Sequence, residues 1–381
     1  MIVLNLLEFQ NVDWISAKIH IYYIAKFNFQ KTSKTSFTVK KHLYSNLFIL
    51  LALVSLPIVA WAQDIHYTNF GFSPLNVNPA LTGVFNGDYR ATGNFRSQWQ
   101  GVPVSYLTVS GSVDMKVANK KNPAFSPFRV GAFLSHDNAG WSKLNNTAVY
   151  LSGSYMKALT KKDFLSGGLS LGVNQRAFKT GDLTWDDQYY EKKFDPNIIS
   201  PDATIFDQSI FYPDLSVGGN YHRQAPGQRS GLDVGLGVFH LNQPKKSFHG
   251  EPAVKCELRY SLSGSTNIAL NNSFDLLLDL MGQWQGPHRE ILGGVGGRLY
   301  LVDRVTRQIA LQAGITLRTG DALSPHIGLL YNNWKVGLNF DSNFSNFKTA
   351  TNRFGGPEIN FIYIFAKVPP AKYCPLCPVY L

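Results

Sequence analysis

The feature that most constrains this chain is a two-residue hydrophobic period, repeated in segment after segment long enough to cross a bilayer. Between Tyr106 and Met115, Leu107, Val109, Val113 and Met115 share one face, and Thr108, Ser110, Ser112 and Asp114 share the other. The pattern returns with Leu165, Leu169, Leu171 and Val173 against Ser166, Ser170 and Asn174. It returns again with Ile309, Leu311, Ala313, Ile315 and Leu317 against Gln308, Gln312, Thr316 and Arg318. Period two belongs to strands. Strands of soluble sandwiches average about 5–6 residues, whereas a bilayer needs about 9–11. These segments are of the longer kind. Beyond residue 62 no apolar run is long enough for a membrane-spanning helix, so strands would have to do the crossing.

Composition agrees with strands. Only 16% of residues are charged, against the roughly 25% usual in soluble domains, which excludes a disordered chain. The 26 Phe, 18 Tyr, 7 Trp and 33 Gly, beside only 4 Met, weight the chain away from helix. Segments near 88–99, 105–116, 128–136, 146–157, 164–175, 212–223 and 231–240 alternate, followed by 257–266, 273–284, 290–300, 307–318, 325–332, 333–341 and 357–367. The expected fold is all-β: a transmembrane antiparallel β-barrel of the bacterial outer membrane with 14 strands, an even number as such barrels require. Trp99, Tyr106, Phe128, Tyr150, Tyr155, Tyr221, Trp284, Tyr300, Tyr331, Trp334 and Tyr363 lie near segment ends, as interfacial girdles do.

If the first strand rises from the periplasm, the longest connections, 176–211, 241–256 and 342–356, fall outside. The short turns 158–163 and 267–272 then fall inside, the asymmetry outer-membrane barrels show. Both termini are thereby expected in the periplasm. The connection 117–127 is long for an inner turn.

The N-terminal 62 residues read as a targeting region. Lys40, Lys41 and His42 precede an apolar run from Leu43 to Ala60, and Ala60-Trp61-Ala62 offers a cleavage site before Gln63. The alternative is an N-terminal membrane anchor. Residues 1–38, with Glu8 and Asp13, do not suit a signal peptide and point to translation starting at Val39. The remaining chain keeps 30 Lys and Arg against 23 Asp and Glu, a net charge of +7. It divides into a lead-in or plug at 63–87, a barrel at 88–367 and a periplasmic tail at 368–381.

Gln63-Asp64-Ile65-His66-Tyr67-Thr68-Asn69-Phe70, followed by Ser73-Pro74-Leu75-Asn76-Val77-Asn78-Pro79-Ala80-Leu81-Thr82-Gly83, resembles the opening signature of the PorP/SprF family of type IX secretion outer-membrane proteins. Gly87-Asp88-Tyr89-Arg90, Asn94-Phe95-Arg96-Ser97-Gln98-Trp99 and Phe211-Tyr212-Pro213-Asp214 extend the resemblance. So do Leu338-Asn339-Phe340-Asp341, Gly355-Gly356-Pro357-Glu358-Ile359 and the Cys374-Pro375 tail. His66, Thr68 and Cys377 depart from it. The resemblance implies a non-enzymatic component that supports secretion or surface anchoring of client proteins such as gliding adhesins. It implies periplasmic ring proteins, a secreted client and outer-membrane lipids as partners, with no nucleic acid and no cofactor. The class without that machinery is a passive porin-like channel.

Candidate docking residues on the expected inner rim are Lys120, Lys121, Lys161, Lys162, Arg223, Arg229, Arg304 and Arg307. Ordinary solvating charge is the competing reading, since outer loops also carry Lys192, Lys193, Lys245 and Lys246. Asn78 and Pro79 in the turn-forming lead-in and Cys374 and Cys377 in the tail are further docking candidates. Gly168-Leu169-Ser170-Leu171-Gly172 matches a nucleophile-elbow string but lies within a strand pattern, where that chemistry has no place. Asp182, Asp186, Asp187, Glu191 and Asp195 read as solvated loop charge rather than a cation site. The histidines are scattered and no metal ligands are assigned. Cys374-Pro375-Leu376-Cys377 lacks the further ligands of a zinc site, and Cys256 is expected at the opposite rim from the tail.

Overall fold

The computed structural model describes residues 64–99, 106–117, 126–140, 144–178, 184–190, 193–201, 208–225, 228–248, 254–304, 307–345 and 348–366. The targeting region 1–62, Lys120, Lys121, Lys192, Cys374 and Cys377 lie outside them.

Fourteen antiparallel strands close into a barrel. They are β1 (Tyr89–Gln98), β2 (Tyr106–Lys116), β3 (Phe128–Ala139), β4 (Leu144–Ala158) and β5 (Asp163–Phe178). After an inserted loop follow β8 (Gln208–Gln224), β9 (Gly231–Phe239), β10 (Arg259–Ala269), β11 (Phe274–Gln285) and β12 (His288–Arg304). The last are β13 (Arg307–Arg318), β14 (Ala322–Tyr331), β15 (Trp334–Asn343) and β16 (Phe354–Phe365). Each pairs with the next, and β1 closes on β16 from Tyr89↔Phe365 to Arg96↔Glu358. Within the inserted loop, Tyr189–Tyr190 (β6) pairs with Lys193–Phe194 (β7).

Burial is inverted relative to a water-soluble sheet. Along β2, Thr108, Ser110, Ser112 and Asp114 are buried, while Leu107, Val109, Val113 and Met115 are exposed. Leu151 at 67% and Ile327 at 60% are among the most exposed apolar side chains of the wall. An apolar belt of this kind is stable only where lipid covers it. Aromatic contacts mark both ends of the wall. Phe128 with Tyr155 and Trp334 with Tyr363 stand at the rim where β1 starts and β16 ends, here the terminal rim. Trp99 with Tyr106 and Phe340 with Phe354 stand at the opposite, loop rim. Two expected girdle residues do not belong there. Tyr150 and Tyr300 alternate with outward Val149, Leu151, Leu299 and Leu301, and therefore point inward.

Three prolines sit inside strands without breaking the sheet, because each misses a ladder on one side. Pro213 pairs with Val173 in β5, while β8 meets β9 only from Val217 onward. Pro357 pairs with Phe340, while β1 meets β16 only up to Glu358. Pro325 pairs with Ile315 and falls in a gap of the β14–β15 ladder. A residue without an N–H is tolerated in such places. β5 and β8 run past the expected 164–175 and 212–223, because Gln175–Phe178 and Gln208–Phe211 go on pairing with each other while Asn145–Thr147 of β4 still flank β5.

Residues 64–87 do not lead away from the barrel; they fold back inside it. Short helical turns at Phe70–Phe72, Pro74–Val77 and Pro79–Leu81 follow one another, with Pro74 and Pro79 opening the second and third. Proline suits a first helical position, where its missing N–H costs nothing. Asn78 Oδ1 accepts from Ala80 N at 2.9 Å, an N-cap. The Asn78-Pro79 turn rests on a floor of glycines from three strands. A Cβ at Gly168 would collide with the Pro79 backbone, at Gly218 with the Asn78 side chain, and at Gly237 with the Val77 carbonyl. Gly168 thus serves close approach, which leaves the elbow-like string no catalytic geometry.

Gly168→Val should leave the wall intact, since valine suits a strand, yet unseat the turn at Pro79. The expected result is a chain that still shifts on a heat-modifiability gel while its 64–87 segment becomes open to protease. A segment as resistant as in the unchanged chain would show that the glycine floor does not govern seating.

Candidate functional site

Three charged clusters join the N-terminal segment to the wall. In the first, Asp341 on β15 lies 2.8 Å from Arg96 Nη2 on β1 and 3.2 Å from Arg318 Nη2 on β13. Arg318 also reaches Glu290 at 3.0 Å and Asp321 at 2.9 Å. The segment threads this cluster. Arg96 Nη1 donates to the His66 carbonyl at 2.6 Å, and Thr68 N and Asn69 N donate to the Glu358 carboxylate at 2.9 and 3.2 Å. Thr68 Oγ1 donates to Asp341 and accepts from Arg318. The alternation places each wall charge on an inward position, where it must be paired.

In the second cluster, Asp114 on β2 accepts Gly83 N at 2.6 Å and two bonds from Arg90, at 2.9 and 2.6 Å. Arg90 then donates to the Leu81 and Val84 carbonyls and lies over the Phe85 ring at 4.8 Å. The third cluster sits at the loop rim. His240, just past β9, holds Asp64 Oδ2 at 2.5 Å through Nε2 and lies 2.8 Å from Asp214 Oδ2 through Nδ1. Arg259 on β10 approaches Asp64 at 3.4 Å and donates to the Asn76 carbonyl at 3.1 Å.

Proton affinities in the segment follow from these neighbours. Burial works against the Asp64 charge, but His240 and Arg259 together hold its carboxyl well below the usual carboxylate range. Burial likewise opposes charge on His240, and Asp64 and Asp214 override it and keep the imidazolium. Burial, helped by the nearby Arg96 and Arg318 charges, outweighs Glu290 at 3.6 Å and the Asp64 carbonyl, so the His66 pKa falls to about 4 and the ring is neutral near pH 7. The Tyr67 phenol, pushed up by burial, donates to Ser110 at 2.7 Å.

The segment does not occupy the whole lumen. Toward the terminal rim a cavity of about 220 Å³ remains, bounded in part by Phe70, Asp279, Arg298, Tyr300 and Lys335.

Of the candidate docking residues, Lys161, Lys162, Arg223, Arg229, Arg304 and Arg307 all come to the terminal rim. They are not equivalent. Arg229 is drawn inward onto Asp275 at 3.1 Å and Asp303 at 3.3 Å and donates to the Asn271 and Asn272 carbonyls. Arg223 pairs with Asp163 at 3.4 Å. Lys161, Lys162, Arg304 and Arg307 are exposed. Asn78 and Pro79 are buried in the lumen, where Asn78 Nδ2 donates to the Gly219 carbonyl at 2.9 Å; they hold the segment and present no outer surface.

Residues 59–363 match the family described as type IX secretion system membrane protein PorP/SprF. The chain belongs to the PorP/SprF family. It is therefore an outer-membrane component of the type IX secretion system, a membrane part of the machinery and not a known enzyme. No curated protein matches the chain significantly. Among solved structures it is similar to the Ralstonia pickettii toluene transporter TbuX, at 9% identity and TM-score 0.46, covering 77% of this chain and 93% of that one. It is also similar to a Pseudomonas aeruginosa FadL homologue, at 9% identity and TM-score 0.40, covering 76% and 93%. The closed sheet itself carries the fold.

Sequence reading assigned no role to Arg90, Arg96, Asp114, Glu290, Arg318, Asp341 or Glu358. The available signal was a charge of either sign on the face opposite the apolar one, repeated in PorP/SprF motif blocks far apart along the chain. Arg96→Ala leaves Asp341 and Glu358 short of a cation. It should cost the seated segment about 3–5 kcal/mol, the usual result of breaking a buried pair. Arg96→Lys should recover only part, because one ammonium cannot reach His66, Asp341 and Glu358 together. Urea titration of detergent-folded protein, read by proteolysis of the segment, measures both; equal midpoints for all three chains would remove Arg96 from the latch.

Proposed function

We propose that this PorP/SprF protein supports secretion or surface anchoring of specific client proteins, gliding adhesins among them, and docks periplasmic ring proteins through its terminal rim. The observation that carries the reading is the segment 64–87 seated in the lumen and tied to the wall by three charged clusters. A passive porin-like channel needs an aqueous path, and the seated segment works against one. What a partner meets at the terminal rim is then a ring of turns with Lys161, Lys162, Arg304 and Arg307 exposed. Charge complementarity there sets capture rate and salt sensitivity more than final affinity.

In this reading both ends of the mature chain are periplasmic, Gln63 begins it, and the connection 176–211 faces the exterior. Single cysteines at Asp187 and Lys162, in a chain freed of native cysteines, report the orientation on intact cells. Labelling at Asp187 and not at Lys162 is expected; the reverse inverts the topology.

The docking claim is tested by changing Lys120, Lys121, Lys161 and Lys162 to Glu. The barrel should fold and insert, while recovery of periplasmic partners drops, most steeply at low salt, and surface display of the client fails. Unchanged recovery and display in the folded variant would return these lysines to ordinary solvation.

A further inference from the structure

The third cluster has a feature that charge pairing does not require. Asp64, His240 and Cys256 bring a carboxylate oxygen, an imidazole nitrogen and a thiol sulfur within 4.8 Å of one another. They come from three places: the start of the N-terminal segment, the residue after β9, and the loop just before β10. The loop is folded to deliver the thiol. Lys245 bridges to Lys255, and Cys256 N donates to the Pro244 carbonyl at 2.8 Å. His240 itself adopts φ 60°, an uncommon conformation for a residue with a side chain, as it leaves the strand. His240 and Cys256 are both buried. Behind the imidazole, Asp214 Oδ2 stands 2.8 Å from Nδ1, and the buried Asp214 Oδ1 has no hydrogen-bond partner among the described residues.

We propose that Asp64, His240 and Cys256 form a site for a divalent late first-row metal ion of the Zn²⁺ type, which fastens the N-terminal segment to the β9–β10 loop. The donor set decides the class. Thiolate and imidazole are wrong for Ca²⁺ or Mg²⁺ and right for Zn²⁺, with the Asp64 carboxylate as third ligand and solvent in the fourth tetrahedral position. The ion enters between Asp64 Oδ2 and His240 Nε2, which now share a proton. Asp214, 2.8 Å from an Nδ1 that has no well-aligned hydrogen bond in the metal-free site, is the carboxylate that would accept Nδ1–H and fix the ring once the imidazole turns to the ion. Charge is conserved. The metal-free site balances two carboxylates with the imidazolium and Arg259; the ion brings two positive charges and displaces one proton from Nε2 and one from the thiol.

Cobalt(II) is the probe, because a thiolate ligand gives it a near-ultraviolet charge-transfer band. The chain is first changed at Cys374→Ser and Cys377→Ser, which leaves Cys256 as its one thiol. Folded in detergent, this chain should take up a single equivalent of Co²⁺ with that band and release it to Zn²⁺. Asp64→Asn or Cys256→Ser should abolish the band, and Asp214→Asn should weaken binding roughly tenfold or more. Asp64 lies outside the wall, so its variant keeps the barrel and separates lost binding from lost folding, which heat modifiability checks. No band in the folded chain, or a band unchanged by Asp64→Asn, would overturn the site.

Discussion

Placing the apolar face of a sheet against lipid forces its polar face inward, and everything inside this barrel answers to that constraint. Arg90, Arg96, Asp114, Arg318, Asp341 and Glu358 are buried, and a buried charge without a partner costs several kcal/mol. Wall residues alone do not complete the pairing. Glu358 takes Thr68 N and Asn69 N, Asp114 takes Gly83 N, and Arg96 gives a bond to the His66 carbonyl. The segment has the same need in reverse, since its short helical turns leave N–H and C=O groups that must find partners once water is excluded. Wall and segment each satisfy what the other leaves open.

Much of the wall was legible because alternation is local. Thr108, Ser110, Ser112 and Asp114 declare their face within one strand, and the strand count follows from repeating that reading. The exceptions come from the same rule applied less strictly. Tyr150 and Tyr300 were placed in the girdles for being aromatic near a segment end, although Val149, Leu151, Leu299 and Leu301 already fix them inward. Strand ends were less legible, since Gln175–Phe178 and Gln208–Phe211 extend their hairpin by backbone pairing that polar side chains do not advertise.

The interior site was legible only as a set of motif blocks. Phe211-Tyr212-Pro213-Asp214, Asn94-Phe95-Arg96, Leu338-Asn339-Phe340-Asp341 and Gly355-Gly356-Pro357-Glu358 carried the family resemblance, and they are the blocks that contact or surround the segment. Arg96 meets Asp341 across 245 residues of sequence, and Thr68 meets Glu358 across 290. No local pattern holds such a pairing. The fold creates it when β1 closes on β16. Cys256 and His240 came together in the same way: each was read singly, and only the β9–β10 loop returns one to the other.

The seated segment also limits how the protein can work. With each cluster worth about 3 kcal/mol, any two of the three would hold the unseated population below about one in ten thousand. A lumen held this firmly does not empty by thermal motion on a scale that supports traffic. Passage through it would require a partner that binds the unseated state better by a comparable free energy, since a ligand indifferent to the two states shifts nothing. Without such a partner the protein must act through surfaces that stay exposed while the segment is seated. On the terminal rim those are the turns bearing Lys161, Lys162, Arg304 and Arg307, because Arg223 and Arg229 are already engaged by Asp163, Asp275 and Asp303. The pairing that seats the segment thus leaves the rims as the surfaces a partner can reach without unseating it.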